Sequence, residues 1–315
     1  MTRLQSYAMG EWVTGTGKST DLFHAVTGER IGEASSGGLD FKGMAAYART
    51  VGGPKLRALT FHERALLLKQ MAKYLLERKE EFYALSAATG ATRSDSWVDI
   101  EGGIGTFFAY SSRGRREFPN ETYHVEGPAE SLSKGGTFAG RHICVPLEGV
   151  AIQINAFNFP CWGMLEKLAP ALLAGVPCIV KPATATSYLT EAMFRAMVES
   201  RILPEGAIQL ICGSAGDLLS HVTEQDAVAF TGSAATGRML KEGKAVVENS
   251  VRFNMEADSL NCSILGADAT PGTEEFDLFI KEVVREMTTK AGQKCTAIRR
   301  TIVPAGMEEA VVKAL

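Results

Sequence analysis

The chain has 315 residues, of which 45% are hydrophobic and 22% are charged, and its formal net charge is −3. This length predicts about two domains, and the composition excludes disordered, collagen-like and disulfide-stapled proteins. Without an excess of basic residues, nucleic-acid binding is not expected. The longest uncharged apolar stretch, residues 168–180, contains two prolines and is shorter than the roughly 18–20 residues that a membrane span requires. No membrane association is predicted.

The amino terminus and the cysteines bear on the cellular compartment. The first twelve residues contain no apolar run of the kind found in a secretory signal, which predicts a cytoplasmic protein. The cysteines form no Cys-x-x-Cys pair, which favours reduced thiols and predicts no metal site. We interpret five of them as inert core residues and one, Cys295, as chemically active. The six cysteines are Cys144, Cys161, Cys178, Cys212, Cys262 and Cys295.

Two long helices are predicted in the first third of the chain. Thr60 and Glu63 have the spacing of a capping box, and the helical apolar pattern that follows continues to about Ala88 before Gly90 closes it. A second helix is predicted from Ser94 to beyond residue 110. Glycines inside a helix lower its stability and indicate close packing against a neighbour. The glycines in question are Gly102, Gly103 and Gly105.

From residue 149 onward, short β-branched runs alternate with helical segments. Strands are predicted at 149–155, 176–181, 207–212, 227–230 and 250–256. Helices are predicted between them at 161–174, 187–201, 217–222 and 235–246. This alternation predicts an α/β fold with a doubly wound, largely parallel sheet, and such sheets bind ligands at the carboxyl ends of their strands.

A further α/β unit is predicted after residue 256. It has a helix at 273–290, the loop AGQKC at 291–295 and a strand at 297–303. The chain then ends within the helical pattern EEAVVKAL. We therefore predict a second, incomplete α/β lobe.

The segment FTGSAATGR, residues 230–238, is the best candidate for binding phosphate. It follows a predicted strand and opens a predicted helix, where main-chain N–H groups and the helix dipole attract an anion. Its candidate residues are Gly232, Ser233 and Gly237. A Gly-Ser turn between a strand and a helix is also common without any ligand, and no G-x-G-x-x-G fingerprint follows a predicted strand.

Three further residues are candidates for chemistry. Cys295 lies in a loop between a helix and a strand, where a thiol can be exposed and activated. Glu256 ends a predicted strand, and Asn158 follows the end of another. Each also has a plainer interpretation, because most cysteines are core residues, a terminal carboxylate is often only solvated, and asparagine is common in turns.

Taken together and in order, these motifs resemble the aldehyde dehydrogenase superfamily along nearly the whole chain. The matching motifs are N-F-P at 158–160, K-P-A at 181–183, F-T-G-S at 230–233, Glu256, and G-Q-x-C at 292–295. The resemblance implies an α/β enzyme that oxidises an aldehyde to a carboxylic acid through a cysteine thioester. Cys295 would be the nucleophile, Asn158 would stabilise the oxyanion and Glu256 would activate water.

The resemblance also implies a domain organisation and a cofactor. Residues 1–256 would comprise the N-terminal helices and the NAD(P)-binding domain, with an oligomerisation segment near 125–148, and residues 257–315 would begin the catalytic domain. Homo-oligomers are usual in the family. Thr184 stands where NAD-preferring relatives commonly have a glutamate, so NADP is expected rather than NAD, although Thr184 could also simply cap the following helix. The expected cofactor-binding residues are Lys181, Thr184, Phe157, Gly232, Ser233 and Gly237.

A narrower resemblance, carried by EADSLNC (256–262) and TKAGQKCTAIRR (289–300), is to the dehydrogenase half of bifunctional ring-opening enzymes of bacterial phenylacetate degradation. It implies a CoA-linked semialdehyde substrate. In those enzymes a hotdog-type domain that hydrolyses oxepin-CoA is fused to the dehydrogenase, and this sequence contains no such domain. A semialdehyde dehydrogenase of aerobic benzoyl-CoA degradation is a related alternative.

One departure from the family pattern lies beside the catalytic glutamate. Most members follow it with Leu-Gly-Gly, whereas Ala257, Asp258 and Ser259 follow here. Two rival functions remain open: an acylating dehydrogenase that transfers the acyl group to CoA, and a non-catalytic, truncated NADP-binding fragment. The presence of Glu256 argues against the first, because acylating members usually lack a functioning glutamate there.

Overall fold

The computed structural model describes residues 2–315, apart from the side chain of Thr2. By its contacts the chain divides into two compact units, one up to Glu256 and one from Ala257 to Leu315. The strands of the first unit are β1 (Thr2–Arg3), β2 (Ser6–Ala8), β3 (Glu11–Val13), β4 (Thr20–Phe23), β5 (Arg30–Ala34), β6 (His124–Ser131), β7 (Ala139–Cys144), β8 (Ala151–Ile154), β9 (Cys178–Lys181), β10 (Ile208–Leu210), β11 (Ala227–Gly232) and β12 (Arg252–Ala257).

The helices of the first unit vary widely in length. They are α1 (Phe41–Tyr47), α2 (Gly53–Arg57), α3 (Phe61–Glu77), α4 (Lys79–Ser86), α5 (Arg93–Arg116), α6 (Trp162–Leu173), α7 (Ser187–Glu199), α8 (Ala234–Lys241) and α9 (Lys244–Glu248). Single turns of 3-10 helix lie at Ala87–Thr89, Thr184–Thr186 and Leu218–His221, and one π-helical turn lies at Ala48–Gly52. In the described part of the chain, no helix combines the length and the apolar character that crossing a membrane requires.

A seven-stranded sheet organises the first unit, in the order β12-β11-β8-β9-β10-β2-β3. β8, β9, β10 and β11 are parallel, and β2 and β3 add an antiparallel edge. From β8 the chain proceeds through β9 to β10 and then returns to place β11 on the other side of β8. The doubly wound, largely parallel fold predicted from the sequence is thus confirmed, and its topological switch lies between β8 and β11.

Helices cover both faces of this sheet. Neighbouring residues of a strand point to opposite faces, so the residues of one strand show what packs on each side. In β9, Cys178 and Val180 pack in a cluster with α3, α5, α6 and α7, whereas Ile179 packs in a second cluster with α1 and α9. The central strands are therefore apolar on both faces, as parallel strands between two helix layers require.

The predicted helix from Thr60 to about Ala88 is in fact two helices, which is a correction to the sequence analysis. Thr60 caps α3 with the predicted capping box, and Gly90 closes the last turn with a φ of 84°. Arg78 separates α3 from α4 because its backbone leaves helical geometry, with φ −103° and ψ 7°. The predicted helix 235–246 is likewise divided into α8 and α9, since Gly243 is extended, with ψ 134°.

The glycines of α5 have different roles. A Cβ added to Gly102 would lie 2.3 Å from the ring of Trp162, and one added to Gly103 would lie 2.8 Å from the Trp162 backbone. Close packing is thus confirmed at these two positions. The prediction is wrong for Gly105, since nothing described lies within 4 Å of its added Cβ.

The second unit is a small βαβ arrangement. Its elements are β13 (Cys262–Ile264), α10 (Glu274–Thr288), a turn at Thr289–Gly292 whose two central residues are not helical, β14 (Arg300–Ile302) and α11 (Glu308–Ala314). β13 and β14 pair in parallel. Its buried core consists of Leu265, Ala269, Phe276 and Val311.

Candidate functional site

Most of the predicted site residues of the first unit gather at one edge of the seven-stranded sheet. Phe230, Ile154 and Lys181 pair in a single row across β11, β8 and β9. The carboxyl ends of these parallel strands therefore meet at the edge where the topology switches, which is the usual place for a ligand in such sheets. The loops that carry Asn158, Thr184 and Ser233 begin within a few residues of that edge.

The Asn158 loop is anchored by a residue that the sequence analysis missed. Asp99, on α5, is buried, and its carboxylate accepts the main-chain N–H of Cys161 at 3.2 Å and of Trp162 at 2.8 Å. A carboxylate at a helix amino terminus satisfies N–H groups that the helix leaves unpaired. The signal was available, because Asp99 shares a helix face with buried Ile100 and Gly103. Asp99 thereby fixes the start of α6 and the end of the loop that holds Asn158.

We expect Asp99→Ala to lower the free energy of unfolding by about 2–3 kcal/mol, because two main-chain donors lose a charged, buried acceptor. Chemical denaturation of the variant and the wild type measures the difference. Ser112→Ala, at an exposed position of the same helix, is the control and should change stability by less than about 0.5 kcal/mol. If both variants are equally stable, Asp99 does not anchor α6.

Lys181 is the last residue of β9, and Thr184 lies three residues later. Burial lowers the pKa of the Lys181 ammonium below its ordinary value, and no carboxylate of residues 2–315 forms an ion pair with it. Thr184 begins the 3-10 turn, and Ala183 occupies the capping position. The alternative in which Thr184 caps the following helix is therefore wrong, and its hydroxyl makes no hydrogen bond to a described residue.

The predicted phosphate segment has the expected form of a strand, a turn and a helix. Ser233 caps α8, since its hydroxyl accepts the N–H of Thr236 at 3.3 Å. Gly237 is buried, and an added Cβ would lie 2.5 Å from the sulfur of Met255. Gly237 thus lets α8 lie close to the sheet. The first turn of α8 follows directly after β11, at the edge of the sheet where the strands end. Phe157 is half exposed, and its carbonyl accepts the hydroxyl of Thr186 at 3.0 Å.

Glu256 is exposed near the end of β12, and the Thr231 hydroxyl donates to its carboxylate at 3.4 Å. This contact brings Glu256 to the carboxyl end of β11. A groove of about 640 Å³ runs from Glu256 beneath α6, with Gln153 in its floor. Gln153 is buried, and its Oε1 has no hydrogen-bond partner in the described part of the chain. The other polar residues along the groove are Thr106, Tyr110, Glu166, Lys167, Arg252 and Asn254.

Cys295 lies in the second unit, exposed in the loop before β14. The part of the loop just before Cys295 contains Lys290 and Ala291, which both have a φ of 53°, an unusual conformation for residues other than glycine. The main-chain carbonyl of Cys295 accepts hydrogen bonds from the side chains of Ser259 and Asn261. Neither of these residues was predicted as part of the site. Their contacts join segments 36 and 34 residues apart, which no local pattern in the sequence indicates.

The other cysteines do not all lie in the core, contrary to the sequence analysis. Cys161, Cys178 and Cys212 are buried, and burial raises the pKa of the Cys178 and Cys212 thiols. Cys144 and Cys262 are exposed, because β7 and β13 belong to small two-stranded sheets that leave them uncovered. Exposure alone therefore does not distinguish Cys295.

Comparison with known proteins supports the resemblance. A profile of the aldehyde dehydrogenase family matches residues 12–315. The chain is 48% identical over 314 residues to 3,4-dehydroadipyl-CoA semialdehyde dehydrogenase from Aromatoleum evansii, covering 99% of this chain and 61% of that protein. It is 28% identical over 303 residues to N-succinylglutamate 5-semialdehyde dehydrogenase from Escherichia coli O157:H7, covering 95% and 58%. The chain thus spans about three fifths of the length of these relatives.

Solved structures share the fold. Betaine aldehyde dehydrogenase from Staphylococcus aureus in complex with NAD+ has a TM-score of 0.82 at 23% identity, covering 99% of this chain and 59% of that one. An NADP-dependent enzyme from E. coli has a TM-score of 0.80 at 22% identity, covering 99% and 62%. The family profile extends over nearly the whole sequence, and the ordered motifs lie at the sheet edge and in the Cys295 loop. The chain belongs to the aldehyde dehydrogenase family.

Proposed function

We propose that the complete protein oxidises a CoA-linked semialdehyde to the corresponding carboxylic acid, with NADP as the hydride acceptor. The observation that carries this proposal is the position of Glu256, whose carboxylate lies at the same sheet edge as Lys181 and the Asn158 loop. The substrate class is supported by the name of the relative that is 48% identical, which specifies a CoA-linked semialdehyde.

In the proposed reaction, the Cys295 thiolate attacks the aldehyde carbon and forms a tetrahedral adduct. The Asn158 side-chain amide and the Cys295 main-chain N–H donate to the oxyanion, and each such donor contributes on the order of 10²- to 10³-fold in rate. A bound nicotinamide would supply the hydride acceptor, so that the adduct becomes a thioester on Cys295. Glu256 then takes a proton from water, which attacks the thioester and releases the acid.

The residues at the sheet edge fit a dinucleotide phosphate. The Lys181 ammonium has no ion-pair partner among residues 2–315, and the Thr184 hydroxyl is not used as a helix cap. Both groups can bind a 2′-phosphate, which is largely dianionic at neutral pH. The α8 amino terminus would hold the pyrophosphate, with Gly232 and Ser233 at the turn and Gly237 allowing the close approach of α8. Phe157 completes the cofactor side of the edge.

We expect Thr184→Glu to reverse the cofactor preference, because a carboxylate at this position repels a 2′-phosphate and accepts hydrogen bonds from an unphosphorylated ribose. The ratio of kcat/KM with NADP to kcat/KM with NAD should fall by at least about tenfold, which corresponds to 1.4 kcal/mol. Thr184→Ser keeps the hydroxyl and should keep the wild-type ratio. A wild type that prefers NAD, or a Thr184→Glu variant with an unchanged ratio, contradicts this assignment.

The substrate class is tested by comparing a semialdehyde as its CoA thioester with the same semialdehyde as a free acid. The groove of about 640 Å³ beside Glu256 offers space for a substrate that extends beneath α6. We propose that the CoA-linked form has the higher kcat/KM. Product analysis by mass spectrometry distinguishes the hydrolytic reaction, which gives a carboxylic acid, from acyl transfer to added CoA, which would overturn the role given to Glu256.

We further propose that the protein forms homo-oligomers through the segment near 125–148. In this segment β6 and β7 form an antiparallel hairpin that exposes apolar side chains, among them Phe138 at 63% and Ile143 at 59% exposed. Apolar groups clustered on one exposed element favour burial against another chain. The hairpin therefore supports assembly, whether or not a hydrolase domain is fused to the complete protein.

A further inference from the structure

Two side chains of the second unit converge on one atom of the candidate nucleophile. The Ser259 hydroxyl and the Asn261 side-chain amide both donate to the main-chain carbonyl of Cys295. The Asn261 amide also lies 3.3 Å from the Ser259 hydroxyl and 3.3 Å from the carbonyl of Ala297. We refer to Ser259 and Asn261 as the carbonyl clamp.

The main chain reinforces the carbonyl clamp. The Asn261 carbonyl accepts the N–H of Arg299 at 2.9 Å and of Arg300 at 3.1 Å. The segment that carries the clamp is therefore fastened to the chain on the far side of Cys295, where β14 begins. Cys295 and the chain that follows it are thus both attached to the segment of the carbonyl clamp, although Cys295 lies in an exposed loop that has no regular secondary structure.

Stability alone does not account for these contacts. Ser259 is exposed and Asn261 is only half buried, and a hydrogen bond that competes with water contributes little to folding. What the contacts fix is geometry, since a carbonyl that accepts two side-chain donors cannot rotate freely. The loop just before it already contains two residues in the left-handed region, Lys290 and Ala291, and such conformations persist where the surroundings over-determine them.

We propose that Ser259 and Asn261 are positioning residues that hold Cys295 in the orientation required for attack on the substrate. This proposal rests on the proposed function, in which Cys295 supplies both the nucleophilic sulfur and an N–H for the oxyanion. Fixing the carbonyl restricts the backbone of Cys295 and thereby the directions of both groups. A displacement of about 1 Å in such a group can reduce the rate by up to about 10²-fold.

The test uses the complete encoded protein and measures two reactions of the same thiol. Pre-steady-state formation of reduced cofactor reports acylation, which requires correct orientation toward the aldehyde and the oxyanion donors. Alkylation of Cys295 by iodoacetamide, followed by mass spectrometry across a range of pH, reports thiol reactivity without an oxyanion. A positioning role affects these reactions differently, whereas a loss of folding reduces both and also weakens cofactor binding.

We expect Ser259→Ala to slow acylation by about tenfold, while alkylation of Cys295 and the Kd for NADP change by less than about threefold. Ser259→Thr keeps a hydroxyl and should restore at least half of the acylation rate. Ser263→Ala, in β13, removes a hydroxyl that bonds to no described residue and should behave like the wild type. Asn261→Ala should reproduce the Ser259→Ala result.

Acylation at the wild-type rate in Ser259→Ala, or acylation and alkylation that fall together, overturns the positioning role. Either result leaves the proposed function intact, provided that Cys295→Ala is inactive. If Cys295→Ala still gives a burst of reduced cofactor, Cys295 is not the nucleophile and the proposed function is wrong. The positioning role of the carbonyl clamp is then wrong as well. The two failures are thus separated by one additional variant.

Discussion

Cys295→Ala should abolish aldehyde oxidation and leave cofactor binding nearly unchanged. The thiol forms the covalent intermediate, but it has no part in the set of residues proposed to hold the dinucleotide. Removal of a nucleophile typically lowers kcat by factors of the order of 10⁴ or more. Steady-state assays of the complete protein measure the first effect, and titration of cofactor fluorescence measures the second.

Cys262→Ser is the matched control for this prediction. Cys262 is also exposed and lies in the same unit, so it reports any general effect of losing a surface thiol. The control variant should keep wild-type activity. If Cys295→Ala retains activity within tenfold of the wild type, the reaction does not proceed through a thioester on Cys295.

Glu256→Gln should separate the two halves of the reaction. The glutamine side chain keeps the size of glutamate and can still accept from the Thr231 hydroxyl, but it cannot take a proton from water. Acylation should therefore proceed and deacylation should stall, with kcat reduced by about 10²- to 10⁴-fold. The expected signature is an initial burst of about one reduced cofactor per site, together with an acyl adduct on Cys295 in the mass spectrum.

Glu242→Gln provides the comparison for this second prediction. Glu242 is an exposed carboxylate just after α8, so its replacement changes the net charge of the unit by the same amount. It should turn over like the wild type and accumulate no adduct. A slow Glu256→Gln enzyme without an adduct would show that another group activates the water.

The sequence predicted the sheet well because its central strands and helices depend on local patterns. The run VPCIVK is apolar on both faces, and β9 is indeed covered by helices on both sides. The break at Arg78 could not be predicted in the same way, because the apolar period continues across one non-helical residue. The strands β1 to β5 were missed because they are short, with two to five residues each, and too brief to show alternation.

For the candidate site, sequence motifs identified the groups proposed to react but not those that hold them. Asn158, Glu256 and Cys295 stand out because each follows or ends a predicted element. Asp99 and Ser259 act through contacts with residues 36 or more positions away, and the tertiary fold alone creates these contacts. For Asp99 the only signal in the sequence is a carboxylate on the apolar face of a predicted helix, and for Ser259 spacing and composition give none.

The contact between α5 and Trp162 limits how the protein can change over evolution. Glycine in a helix interior costs about 1 kcal/mol relative to alanine, so selection for stability alone would replace Gly102 and Gly103. Neither can accept even a methyl group without displacing Trp162. Trp162 begins α6, the helix that follows the Asn158 loop. A shift of Trp162 would therefore also shift the Asn158 loop, although α5 itself contributes no reacting group. Substitution of Gly102 or Gly103 is therefore restricted by the need to keep the Asn158 loop in place, although both glycines lie inside a helix that has no reacting group.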